Sequence, residues 1–72
     1  MIIYSHPDGG HYVIADQYPV QMKMDDGRWE PAVYYRRVTR GPTGKWMYEG
    51  QNHFCTTAAR WAERFTRIDG DG

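Results

Sequence analysis

His53 and Cys55 stand two residues apart, and His6 and His11 are the other histidines of the chain. Thiolate and imidazole can ligate zinc, and they are also the groups from which a thiol nucleophile and its base are made. On a strand, the i, i+2 spacing puts His53 and Cys55 on one face. Two ligands do not hold a zinc ion, and the paired C-x-x-C or H-x-x-x-H spacings of structural zinc are missing. No third group is in place to orient the histidine as a base. A small packing cysteine with loop histidines accounts for the same residues. Asp25-Asp26 is the paired-carboxylate candidate. It precedes Gly27 between strand-like segments, where Asp serves local turn hydrogen bonding. Acid–base pairs need unlike environments around a cleft, and an exposed turn offers neither. Gly41-Pro42-Thr43-Gly44-Lys45 lacks the Walker spacing and its strand-to-helix context. We therefore expect no catalytic residue, no metal and no cofactor.

The richer signal is aromatic. Eleven of the 72 residues are Phe, Trp or Tyr, more than a core of this size easily hides. Tyr34, Tyr35, Arg36, Arg37, Arg40, Lys45, Trp46 and Tyr48 interleave rings with cations, and these eight are the candidate binding residues. Rings stack on bases and cations contact phosphate. Tyr, Trp, Met and Arg are also the types enriched at protein interfaces and hot spots. Charge separates the two readings. Nine basic and nine acidic residues leave a net charge of zero, whereas nucleic-acid-binding domains are usually basic. The balance is uneven: residues 1–30 carry a net −3 and residues 31–67 a net +5. A protein partner is the first expectation, and single-stranded nucleic acid on a small β-barrel is the alternative.

These side chains must be carried by strands. Ile2–Tyr4 reads as a first strand, followed by a turn at Ser5–Gly10. His11–Tyr18 alternates until Pro19, which belongs at an edge, a bulge or a bend. Val20, Met22 and Met24 face one way and Gln21, Lys23 and Asp25 the other, the cleanest period-2 pattern in the chain. Asp26-Gly27 then predicts a hairpin, with Trp29–Val38 as its return strand and Pro31 near the start. Tyr34 and Tyr35 must point to opposite faces, so one of them is expected to be exposed. Lys45–Glu49 and His53–Thr56 are two further short strands. Ala58, Trp61, Ala62 and Phe65 recur at helical spacing, with Thr57 as N-cap. Phe65–Ile68 fits either the end of that helix or a last strand. Tyr12, Trp29, Phe54, Trp61 and Phe65 are the rings assigned to the core, with Met22 beside them.

Seventy-two residues make one domain, here residues 1–68 with a flexible tail at 69–72. A chain this small is marginally stable, so a homodimer stays open as a source of further buried area. Cys55 is the only cysteine, which excludes an intrachain disulfide and fits a reducing compartment. Met1–Tyr4 is too short for a signal-peptide core. No apolar run approaches the ~20 residues of a membrane span. The expectation is a cytoplasmic protein with no membrane contact.

Tyr4-x-His6, Gly9-Gly10-x-Tyr12-x-Ile14, Val33-x-Tyr35-Arg36, Phe54 and Phe65-x-x-Ile68 together resemble a family of small bacterial and phage proteins of unknown function. Its members carry Tyr-Arg-His, a glycine turn, Tyr-x-Val, Val-x-Tyr-Arg, Trp-Val-Arg-Pro and a Phe-containing helix. This chain departs from that pattern in two places. Phe54-Cys55-Thr56-Thr57 replaces Trp-Val-Arg-Pro, and Gly41–Asn52 reads as an insertion. The resemblance implies a compact β-rich fold and a phage or prophage source, in which case the host cytoplasm is the compartment. It carries no activity with it. The fold expected is α+β and β-rich: a small antiparallel twisted sheet or SH3-like barrel of four to six strands with one short C-terminal helix. The function expected is a non-enzymatic binding protein, a phage accessory protein that inhibits a host protein such as a defence-system component.

Overall fold

One strand of twelve residues, Trp29–Arg40 (β4), is the axis of the molecule. The computed structural model describes residues 2–68; the tail expected at 69–72 lies outside them. The other strands are Tyr4–Ser5 (β1), His11–Ile14 (β2), Val20–Lys23 (β3), Trp46–Tyr48 (β5), Phe54–Thr57 (β6) and Thr66–Arg67 (β7), with one helix, Ala58–Arg64 (α1). They form a single antiparallel sheet that is twisted and open.

The registers show how β4 is used. Ala32 pairs with both Val20 and Thr57, and Tyr35 with both Ile14 and Phe54. Hence β2 and β3 share one edge of β4. Val38 pairs with His11 and Tyr48, so β5 joins β6 on the other edge. Each edge therefore carries a broken strand. On the first, residues 15–19 bulge out between Ile14↔Tyr35 and Val20↔Ala32. On the second, residues 49–53 do the same between Tyr48↔Val38 and Phe54↔Tyr35. Each bulge sets five residues against two of β4. Pro19, which cannot donate to a ladder, sits in the first of these breaks. This shortens the expected strand at His11–Tyr18 to His11–Ile14. Pro31 is tolerated inside β4 because β6 has already ended, opposite Ala32.

Three hairpin turns share one geometry: His6–Gly10, Met24–Arg28 and Gly41–Lys45. In each, the first amide donates to the fifth carbonyl (3.1, 2.7 and 2.8 Å) and the fourth amide to the first carbonyl (2.9 Å in all three). The fourth residue is Gly9, Gly27 or Gly44, with φ of 88°, 89° and 83°. Glycine reaches this region without strain, which is why Pro/Asp–Asp/Thr–Gly recurs at these sites.

Both faces of the sheet are packed. Tyr12 and Val13 are adjacent in β2, point oppositely, and are both buried. On Val13's side lies an aliphatic core of Ile3, Val13 and Val38, with Trp46 against it. On Tyr12's side lies a layer of rings. Trp61 and Phe65 stack at 3.8 Å and 11°. Tyr35 meets Trp61, Phe65 and Tyr12 at 5.1, 5.1 and 5.4 Å. Tyr4 closes on Trp61 at 5.0 Å and Phe54 on Tyr35 at 5.6 Å.

Thr57 caps α1 by accepting from the Arg60 amide at 3.2 Å, as its position predicts. The helix ends after Arg64, and the chain extends into β7 against β1. Residues 58–68 are thus helix first and strand second, which resolves the ambiguity at Phe65–Ile68.

Two core assignments require correction. Trp29 is 61% exposed, because it opens β4 opposite Lys23, beyond the reach of the helix. Phe54 is exposed at the rim of the ring layer rather than inside it. Trp61 and Tyr12 are buried, and Phe65 and Met22 half-buried. Trp61→Ala should cost about 3–5 kcal/mol in urea denaturation, whereas Trp29→Ala should stay within about 0.5 kcal/mol of the parent. Equal losses from the two would contradict the burial of one ring and the exposure of the other.

Candidate functional site

The eight candidate residues lie on β4, β5 and the turn between them, and the alternation of β4 divides them. Tyr35 and Arg37 point to the ring layer. Tyr34, Arg36 and Arg40 point to the aliphatic side, where pairing with β5 adds Trp46 and Tyr48. Lys45 closes the turn, its carbonyl accepting from the Gly41 amide at 2.8 Å. The eight do not form one surface.

Most of the charge in this set is already engaged. Arg36 donates through Nη2 to the Gly50 carbonyl at 2.9 Å, and its guanidinium lies 3.9 Å over the Tyr48 ring. Arg37 meets Glu49 at 3.6 Å and sits 5.7 Å from the Tyr12 ring. Arg40 lies 4.9 Å over Trp46, whose other neighbour is His11 at 5.0 Å. Cation–π pairing of this kind keeps the cation in water while the ring packs below it. Tyr34 stacks on His53 at 5.1 Å and 20° and stays exposed. Tyr35 belongs to the ring layer, and burial, followed by smaller effects of Cys55 and Asp8, pushes its hydroxyl above the usual phenol range. Of the two tyrosines, Tyr34 is therefore the exposed one.

The candidate chemical groups are scattered. His6 is in the ring layer, 4.7 Å from Phe65, while His11 is against Trp46 and His53 against Tyr34. Cys55 is exposed. Among the described residues, no three His, Cys, Asp or Glu side chains gather to hold a metal ion. Asp26 serves its turn, accepting from the Arg28 amide at 3.0 Å and the Arg28 side chain at 2.6 Å. Among the described residues, no helix is long and apolar enough to cross a membrane.

A further apolar surface shares only Tyr48 with the candidate set. Ile2, Tyr4, Val13, Ile14 and Tyr48 line a shallow groove of about 500 Å³. Ile2, Ile14 and Tyr48 are 47%, 42% and 52% exposed. The β1–β2 register sets Tyr4 opposite Tyr12, and extending it by two residues sets Ile2 opposite Ile14. That pairing follows from the turn at residues 6–10 and was readable in advance. The approach of Tyr48 was not, because it depends on β5 folding back along β4.

No protein-family profile, curated protein or solved structure matches the chain. The fold gives several of the motif residues structural work. Gly10 leaves room for the Tyr12 hydroxyl, which would lie 2.8 Å from a Cβ placed there. Val33 to Arg36 is the middle of β4.

Asp8 links the first turn to this layer. Its carboxylate accepts from the Gly10 amide at 2.6 Å and from the Tyr12 hydroxyl at 3.0 Å. The Gly10 bond is the main reason it is held below the usual aspartate range; desolvation opposes this, and Tyr12 and His6 add to the lowering. A depressed folded value means stability that is present above the unfolded aspartate value and lost as pH falls through the folded one. Melting temperature should therefore fall on acidification through and below the usual aspartate range, and Asp8→Asn should flatten part of that fall. An unchanged acid limb in Asp8→Asn would remove this carboxylate from the account. Truncation of the paired tyrosines tests the division of faces. Tyr35→Ala should lose about 3 kcal/mol and Tyr34→Ala less than about 1 kcal/mol, read by thermal melts.

Proposed function

We propose that this protein is a non-enzymatic binding module that docks another protein on the groove between β1, β2 and β5. The observation that supports this reading is the contrast between open apolar side chains and engaged cations. Ile2, Ile14 and Tyr48 stand exposed around a groove of about 500 Å³, while Arg36 and Arg37 are held by groups of the chain itself. Exposed apolar surface gathered at a concavity marks a contact site more often than scattered exposed side chains do. Tyr48 is backed by Arg36, so the ring is presented at little further cost in side-chain entropy. The lining is mainly apolar, and its polar side-chain groups are the Tyr4 and Tyr48 hydroxyls. An apolar anchor from a protein suits it better.

The resemblance to small bacterial and phage proteins supports a more specific form: a cytoplasmic phage accessory protein that inhibits a host protein by covering its surface. Binding to single-stranded nucleic acid is weakened as a reading by the zero net charge and the engaged arginines.

Capture from host lysate on immobilised protein tests the proposal. A specific partner should be retained from about 50 to 200 mM salt, a range over which counterion release would strip a nucleic acid steeply. Ile14→Asp should weaken retention about tenfold or more, as loss of an interface anchor does, without lowering the melting temperature. Retention that survives Ile14→Asp, or that collapses with salt, would overturn it.

A further inference from the structure

We infer that the bulge at residues 15–19 is a receptor for an arginine side chain of the docked partner; this rests on the protein-binding reading above. The bulge sets five residues against two of β4, so it stands off the sheet edge and borders an open, shallow pocket of about 380 Å³. Its start is pinned where the Ala15 amide donates to the Tyr34 carbonyl at 2.7 Å. Asp16, Tyr18, Pro19 and Tyr34 are among the lining residues.

Asp16 is the informative group. Its Oδ1 is buried and meets no hydrogen-bond donor. The other carboxylates near basic groups are occupied: Asp8 by Gly10 and Tyr12, Asp26 and Glu30 by Arg28, Glu49 by Arg37. Among the described residues, no cation of the chain pairs with Asp16. Covering one oxygen of a carboxylate without a donor is costly, because desolvation of charge goes uncompensated. A cation brought to the open side of the same delocalised group would offset that cost.

The walls favour a guanidinium. Tyr18 is 77% exposed, the most open large hydrophobic side chain of the described residues, and nothing in the fold requires a ring there. Tyr34 is fixed by its stack on His53, 5.1 Å away at 20°, and still lines the pocket. Two tyrosines and one carboxylate are the groups that recognise a flat, weakly hydrated cation: rings for its face, an anion for its edge. Ile14 in the apolar groove adjoins Ala15 at the start of the bulge. A partner seated on the groove would therefore have the pocket within reach.

The test is an NMR titration of the full chain with Nα-acetyl-arginine methylamide, with its citrulline and lysine counterparts run alongside. The arginine probe should shift the amides of Ala15, Asp16, Gln17, Tyr18, Val20 and Tyr34. The isosteric, neutral citrulline probe should bind about tenfold more weakly, the scale of a lost charge-assisted contact, and the lysine probe more weakly than arginine. Asp16→Asn should lower arginine affinity about tenfold at unchanged melting temperature, while Ile14→Asp should leave it unchanged. Equal responses to arginine and citrulline, stronger binding of lysine, or an unaffected Asp16→Asn would overturn the assignment. A missing probe response with partner capture intact defeats the pocket alone. A normal probe response with no partner captured defeats the protein-binding reading instead.

Discussion

The stack of Trp61 on Phe65 against Tyr35 holds the fold together. A seven-residue helix is too short to persist in water by itself. Here it persists because its one buried side chain, Trp61, enters a layer supplied by β1, β2 and β4. Phe65 joins the same layer from just beyond the helix and directs the chain into β7. Tyr12 carries the layer into the first turn through its bond to Asp8. The termini of the described chain are thereby tied to the middle of β4, and the sheet gains a lid on one face without closing into a barrel.

The long central strand sets the remaining constraint. Twelve extended residues cannot be matched by the short segments available, so each edge of β4 is served by two strands with a break between them. The breaks place exposed rings where a continuous ladder would not. One puts Tyr18 beside Tyr34 and Asp16. The other follows Tyr48 and brings the Gly50 carbonyl to Arg36. The molecule is correspondingly long, 46 × 23 × 20 Å, and its candidate contacts are carried by strands and the bulge rather than by the helix.

Much of the fold was legible because its signals are local. The three turns announce themselves through Gly at the fourth position, Pro19 marks its break, and Thr57 its cap. The helical spacing of Ala58, Trp61, Ala62 and Phe65 identifies a face that does meet the sheet. Non-local choices were less legible. Nothing near Trp29 says that the helix stops short of it. Interleaved rings and arginines around Tyr34–Tyr48 read as one patch, yet strand alternation sends Tyr35 and Arg37 to one side and Tyr34, Arg36 and Arg40 to the other. Pairing with β5 and its following loop then engages Arg36 and Arg37 with groups of the chain itself. Ile2 and Ile14 sit in the expected strands, but nothing local in the sequence marks them as exposed.

Division of labour between a ring layer that stabilises and the groove and bulge that bind is the central claim. Hydrogen exchange of the protein alone and with a captured partner tests it most directly. The account predicts new protection at residues 2–4, 12–18 and 46–50 with the helix at 58–64 unchanged. Protection confined to the helix, with those three segments exchanging as in the free protein, would contradict it.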